Sequence, residues 1–175
     1  MKKEEKIVLI WFFFFTLLFL ILALALRIRV SEDETYEDRD HIALYIYKYN
    51  HLPSNYIKKD ENPCATRSEA VLKGYSFGGD VFENREGLIS NPNNYVLREA
   101  DYYLTRSEGR GSYRLVYTID GDMVIKYTED HYETYSELSR FSINVKSNVM
   151  WIVFAVTCCG DIMVIAIIRI KKEEE

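Results

Sequence analysis

Cysteine is scarce in this chain, three in 175 residues, and Cys64 alone lies outside the hydrophobic ends. The middle of the chain therefore has no internal disulfide. Cys64 is either a free thiol or one half of a bridge to another chain. No spacing of cysteine and histidine resembles a zinc site, and no glycine-rich loop is built to cradle a nucleotide phosphate. There is no internal repeat, and nothing of low complexity beyond a phenylalanine-rich run near the start. Positive charge is short as well. Residues 30–146 hold 14 Lys and Arg against 21 Asp and Glu, a net of −7. Such a balance gives no long-range attraction for a polyanion, so any handling of nucleic acid must go through a local cationic cluster.

Hydrophobic length, by contrast, is abundant at both ends. From Ile7 to Leu26 only Thr16 is polar. At about 1.5 Å per residue a helix over this run reaches roughly 30 Å, the thickness of a hydrocarbon core. A helix with no polar face is not a soluble core helix. Ala23 and Ala25 form the A-x-A pattern of a cleavable signal peptide, but the run is long for a signal core and Arg27 and Arg29 follow at once. The reading is an uncleaved signal-anchor over residues 7–28.

The second apolar segment, residues 149–168, contains Asp161 beside Cys158, Cys159 and Gly160. An ionised Asp near a helix centre costs about 2.5–3.5 kcal/mol, and ten Ile, Val and Phe residues return roughly 3–6 kcal/mol. Insertion is favoured by a narrow margin. Asp161 would pair with a polar group on the first helix or on a second copy, or stay protonated and inert. Lys2, Lys3 and Lys6 precede the first span, and Arg169, Lys171 and Lys172 follow the second. The bias agrees at both ends, so tails 1–6 and 169–175 are expected in the cytoplasm and the middle outside it. Trp11 and Trp151 would anchor opposite interfaces. Membrane lipid is thus an expected partner, and self-association through the two spans a candidate one.

Between the spans, residues 29–36 read as an acidic, solvated linker whose end caps a helix, and residues 37–146 as one domain. Ile42, Tyr45, Ile46 and Tyr49 recur at helical spacing, and Asn50-His51-Leu52-Pro53 ends that helix. Shorter helices are expected near Lys58 and from Ser68 to Lys73. After Gly78-Gly79 the pattern turns to strands, at 80–82, 94–103, 112–118, 123–127 and 132–138, with Ile119-Asp120-Gly121-Asp122 as a hairpin. Helices followed by an antiparallel sheet make an α+β fold.

Several polar residues in the strand region have no evident structural duty. Glu99 lies on a strand beside Arg98 and two residues before Asp101. Arg110 and Arg114 bracket a turn, where both could aim at one phosphate, since a guanidinium binds two phosphate oxygens at once. His131 stands before Tyr132 at a strand entrance. A base, an acid and a cation cluster are what RNA cleavage needs to remove the 2′-hydroxyl proton, protonate the departing 5′-oxygen and stabilise a pentacoordinate phosphorus. Singly each residue has a duller reading: a solvated strand Glu, salt-bridged arginines, a surface His.

In order and spacing these motifs resemble the barnase-like family of microbial guanyl-preferring ribonucleases, from His41 to about Arg140 and in neither apolar end. HLPSNYIKK is similar to the family's LPxNYITK, GGDVFENREG to GGDIFxNREG, READ to WREAD, RGSYR to the arginine-bracketed phosphate loop, and YTEDHYETY to KTTDHYxTF. The resemblance implies the microbial ribonuclease fold and no cofactor or metal. It implies Glu99 as general base, His131 as general acid, and Arg110, Arg114 and Lys59 on the scissile phosphate, with Ser112 of the same loop among the substrate contacts. Phe82, Asn84, Arg85 and Glu86 would form a guanine pocket, Tyr132 would flank base or ribose, and Asp80 would hold Lys59 and the arginines. There are departures. The stretch between Lys59 and Gly78 is short, so Arg67 competes with Lys59 for its role; Leu97 stands for the family's Trp; one extra residue separates Glu99 from Arg110; and the domain is acidic where barnase is basic.

The resemblance implies a metal-independent endoribonuclease cutting RNA 3′ of guanosine through a 2′,3′-cyclic phosphate, with a barstar-like inhibitor as a candidate partner, and the two apolar segments add the expectation that it is exported and membrane-tethered. Export protects the cell that makes such an enzyme, for scavenging or for use against a neighbour. The competing reading is a ribonuclease fold retired from catalysis that binds and signals, against which the complete base–acid–arginine set argues.

Overall fold

In a computed structural model of the chain, residues 3–103, 111–121 and 123–174 are described. They fall into two units, one of Met1–Arg27 with Asn144–Glu175 and one of Ile28–Ile143.

Helix α1, Lys3–Ala25, belongs to the first unit, and the first helix of the second is α2, Arg39–Tyr49. Its start is set by Asp38, whose side chain accepts from the His41 N–H at 3.1 Å and satisfies one of the helix's unpaired donors. Its end is set by Asn50, which turns left-handed at φ 61° and returns its N–H to the Ile46 carbonyl. The strands are β1 (Tyr56–Ile57), β2 (Ser76–Val81), β3 (Arg98–Asp101), β4 (Arg114–Tyr117), β5 (Ile125–Thr128) and β6 (Ser136–Glu137). They lie in that order in one sheet. A 3-10 turn, Lys59–Glu61, and helix α3, Arg67–Leu72, connect β1 to β2.

The α+β class is as expected, but the sheet is mixed rather than wholly antiparallel. The connection through α3 is a crossover, so β2 returns beside β1 in the same direction. The remaining pairs are antiparallel. Most of the expected strands are also shorter at their ends, and β2 begins at Ser76 and runs through the glycine pair after which strands were expected to start.

Alternation along β3, β4 and β5 sorts the side chains. Ala100, Leu115, Tyr117 and Ile125 meet Ile42, Ala43 and Ile46 of α2 in the main core, closed by Leu138 and by Ile143 of the short helix α4, Arg140–Ile143. Each fully buried Ile there is worth about 1.5–3 kcal/mol. Glu99, Asp101 and Arg114 therefore belong to the opposite face. On that face Val116 packs with Ile89 and Leu97, with Phe82 and Tyr135 against them.

Residues 28–36 are less free than a solvated linker. Ser31 to Thr35 are exposed, yet the Val30 carbonyl accepts from Lys48 Nζ at 2.9 Å and the Glu32 carbonyl from the Tyr45 hydroxyl at 3.0 Å. Tyr36 stacks on His41 with centroids 5.2 Å apart. The segment is a strap along α2.

The other unit consists of α1, Lys3–Ala25, and α5, Val145–Glu174, both long and apolar enough to cross a membrane. Thr16, the one polar residue of the first apolar run, donates its hydroxyl to Asp161 Oδ2 at 2.8 Å, and both are buried. Ser147 donates to the Ala23 carbonyl at 2.7 Å. Of the partners considered for Asp161, the first helix supplies one.

In β2 the register passes from Gly78 opposite Ala100 to Asp80 opposite Glu99, so Gly79 is an extra, bulged residue with φ +93°. The bulge turns Asp80 to the side of Glu99. At Gly78 a Cβ would come within 2.8 Å of Ala100 Cβ and of the Tyr56 ring. Gly78→Ala is accordingly expected to cost about 1–3 kcal/mol through forced displacement of β1 and β3, measured as a lowered urea midpoint at unchanged slope.

Candidate active site

Strand β3 carries the centre of the site. Glu99 is 6 % exposed, and each carboxylate oxygen has a donor: Lys59 Nζ on Oε1 and the Tyr132 hydroxyl on Oε2. Lys59 comes from the 3-10 turn after β1, where its backbone N–H points at Asp80 Oδ1, 3.4 Å away, and its Nζ stands 3.7 Å from Asp80 Oδ2. The bulge at Gly79 is what lets one lysine bridge two carboxylates. Arg67, the rival for this position, lies elsewhere, with its guanidinium 5.4 Å from the Phe77 ring centroid.

Two residues along β3, Asp101 meets Arg114 of β4 directly across the ladder. Their side chains pair at 3.0 Å with almost no solvent exposure, and Arg114 also donates to the Tyr113 carbonyl at 2.7 Å. The arginine's carboxylate is thus Asp101, where Asp80 had been expected to hold the arginines. Arg110 lies outside the described residues. Ser112 donates to the Glu129 carbonyl at 2.8 Å, which fastens the start of β4 to the turn after β5.

That turn carries His131 and Tyr132, and both have left-handed backbones, φ 58° and φ 80°. Left-handed geometry at two successive residues with side chains is strained and has to be held by its surroundings. Asp130 holds it. Its Oδ1 accepts from the Thr128 hydroxyl at 2.7 Å and the Thr134 N–H at 2.9 Å, and its Oδ2 from the Thr134 hydroxyl at 2.5 Å. The Tyr132 N–H then donates to Thr128 Oγ1 at 3.0 Å. The Thr134 hydroxyl and N–H, with the Thr128 hydroxyl, pull the Asp130 carboxyl down to about 2. His131 is exposed, its ring tilted 4.9 Å from that of Tyr132.

The expected base pocket is only partly brought together. Phe82 stacks on Tyr132 at 5.4 Å and meets Tyr135 edge-on at 6.4 Å. Asn84, left-handed at φ 46°, spends its side chain inside its own loop, donating to the Ile89 carbonyl at 2.8 Å and accepting from the Ile89 N–H at 3.1 Å. It shapes the loop, and its backbone carbonyl accepts from the Gly87 N–H at 2.9 Å as well. Arg85 is exposed and paired with Glu83 at 2.5 Å, and Glu86 is exposed. A cleft of about 630 Å³ runs behind this loop, between Phe82, Asn84, Ile89, Tyr95 and Leu97.

Two contributors were not singled out from the sequence. Asp101 was visible as the last residue of READ, but its partner follows only from the β3–β4 register. Tyr135 sits where the family motif has Phe; burial, with Glu86, Glu99 and Asp130 nearby, pushes its hydroxyl up to about 12.

A family model described as ribonuclease matches residues 39–139. The chain is 38% identical over 105 residues to a ribonuclease of Heyndrickxia coagulans, a match covering 57% of this chain and 94% of that protein. It is also 38% identical over 105 residues to ribonucleases of Bacillus intermedius and Bacillus pumilus, covering 63% of each. The chain belongs to the barnase-like microbial ribonuclease family. Membership in this ribonuclease family implies an RNA-cleaving enzyme and an RNA substrate. The matched residues stop short of both apolar helices, so α1 and the membrane-length part of α5 are additions to the ribonuclease region.

The strained turn of this ribonuclease makes a testable statement about acid. A carboxyl held below its unfolded value stabilises the fold fully above about pH 4 and loses that contribution as the pH falls through its folded value. For Asp130 that value is about 2. The backbone amide signals of Tyr132 and Thr134 are expected to show no transition between about pH 5 and pH 3; one centred on the ordinary carboxylate value would mean Asp130 does not clamp the turn.

Proposed function

We propose that this protein is a membrane-tethered ribonuclease with its catalytic unit outside the cytoplasm, cutting RNA on the 3′ side of guanosine. The observation that carries the reading is the gathering of Glu99, Lys59 and the Arg114–Asp101 pair on one face of the sheet, with Tyr132 of the DHY turn bonded to Glu99.

In the first step Glu99 takes the proton of the 2′-hydroxyl, and the 2′-oxygen attacks phosphorus. Lys59, Arg114 and Arg110 stabilise the charge that grows on the phosphoryl oxygens. Protonated His131 gives its proton to the departing 5′-oxygen, leaving a 2′,3′-cyclic phosphate and a free 5′-hydroxyl. In the second step the roles reverse: His131 takes a proton from water, the water oxygen attacks phosphorus, and Glu99 returns its proton to the 2′-oxygen. Guanine preference would come from stacking on Phe82, from backbone N–H groups of residues 84–86 toward O6, and from the Glu86 carboxylate accepting from N1 and N2. No step calls for a metal or cofactor.

The full chain in detergent with EDTA present is expected to form cyclic phosphate from GpA much faster than from ApG. Glu99→Ala and His131→Ala are each expected to lower that rate by about 10²- to 10⁴-fold. Failure of the folded wild type to cleave either dinucleotide would end the catalytic reading.

Tethering and export are supported by the two apolar helices and by the lysines and arginines beyond them. Cys64 is the one cysteine of the central region, half-buried and unbridged, whereas Cys158 and Cys159 lie within α5. A membrane-impermeant maleimide is therefore expected to label intact cells at Cys64. Labelling only after lysis would turn the topology inside out.

A further inference from the structure

Tyr132 meets the carboxylate, an aromatic ring of the base pocket and the arginine of the site. Its hydroxyl donates to Glu99 Oε2 at 2.5 Å, and its ring stacks on Phe82 at 5.4 Å with 25° between planes. The Arg114 guanidinium lies over the same ring, 6.0 Å from its centroid, and His131 is the preceding residue. Two of these contacts conflict with the chemistry proposed above. A carboxylate accepting from both Lys59 and Tyr132 has its charge stabilised and its lone pairs engaged, which makes it a poorer acceptor for the 2′-hydroxyl proton. Tyr132 covers one face of the Phe82 ring, a face open to a base only if Tyr132 moves. A base between the two rings needs roughly 6.8 Å between centroids, two stacking steps of about 3.4 Å, and 5.4 Å is too close.

We propose that Tyr132 is a latch on the catalytic carboxylate, opened by the base it helps to select. A guanine entering against Phe82 displaces the Tyr132 ring, and that one displacement breaks the hydroxyl bond to Glu99 and uncovers Arg114. A base that cannot seat itself on the Phe82 loop leaves the ring in place and Glu99 held. Base recognition then acts on the chemical step and not only on binding. The backbone need not move: the Tyr132 N–H stays anchored on Thr128 Oγ1, and rotation about the side chain suffices. The latch rests on the assignment of Glu99 as the general base, and the experiment separates the two.

The test compares wild type, Tyr132→Phe and Glu99→Gln as full-length chains in detergent, with GpA and ApG across pH. The Phe variant keeps the stacking ring and removes the bond. Its kcat on ApG is expected to rise about tenfold, the scale of one hydrogen bond to a charged group. The GpA-to-ApG ratio of kcat then falls, while KM for GpA changes little. The acid limb of its kcat/KM profile is expected at higher pH, because Glu99 has lost a donor to its charged form. An unchanged ratio with an unchanged acid limb would overturn the latch. Full GpA activity in Glu99→Gln would show instead that the base assignment itself had failed. If the Phe variant does not fold, wild type with isotope-labelled tyrosine gives the answer. The Tyr132 ring signal should shift with 3′-GMP and not with 3′-AMP, and no shift with either would overturn the proposal.

Discussion

The site is built around an ion pair withdrawn from water. Arg114 and Asp101 face each other across β3 and β4 with 1 % and 0 % of their side chains exposed. Burying such a pair costs several kcal/mol per ion in lost hydration, and removing either partner strands the other at a cost of about 3–5 kcal/mol. A pair of this kind fixes register, because a slip by one residue would turn one charge into the apolar core. From it the rest follows in order. With Asp101 opposite Arg114, Glu99 stands opposite Val116 on one side and Asp80 on the other, and Thr128 stands beside Arg114. Thr128 then receives the Tyr132 N–H and bonds Asp130, which closes the turn that brings Tyr132 back to Glu99. The Asp101 carbonyl also accepts from the Tyr56 hydroxyl at 2.6 Å, tying β1 to the same centre.

An acidic domain that handles a polyanion can do so only if its cations are concentrated and held. Both described cations proposed for the phosphate are held by carboxylates, Lys59 by Glu99 and Asp80 and Arg114 by Asp101. These pairs lie at or below the surface, where salt screens them less than it screens exposed charge. RNA binding by this chain should therefore owe less to counterion release than in a basic relative.

Much of this was legible in the residues. The period of α2, its acidic cap and its stop before Pro53 are local signals, and so is the hairpin at Asp120-Gly121. The motifs around Glu99 and His131 carried the family. What could not be read depends on contacts distant in sequence. A two-residue strand such as Tyr56–Ile57 has no periodicity of its own and exists because β2 returns beside it. Gly78 and Gly79 look like a chain break; one is a close approach of three strands and the other a bulge. The left-handed pair at His131 and Tyr132 has no glycine to announce it, because Asp130 and two threonines impose the geometry. Residues 29–36 have the composition of a linker and are fastened to α2 by tyrosines whose partners are backbone carbonyls.

The bond between Thr16 and Asp161 also bears on the order of events as the chain is made. In the membrane-spanning arrangement proposed above, the helix carrying Thr16 leaves the ribosome well before the one carrying Asp161, so the hydroxyl would be in the bilayer before the acid arrives. An acid entering hydrocarbon alone would meet the full insertion cost; one that docks against a waiting hydroxyl does not. In that arrangement a peptidase cutting after Ala25 would remove the first helix and with it the partner of Asp161. The second helix carries a record of the first, and the pair has a reason to stay in one piece.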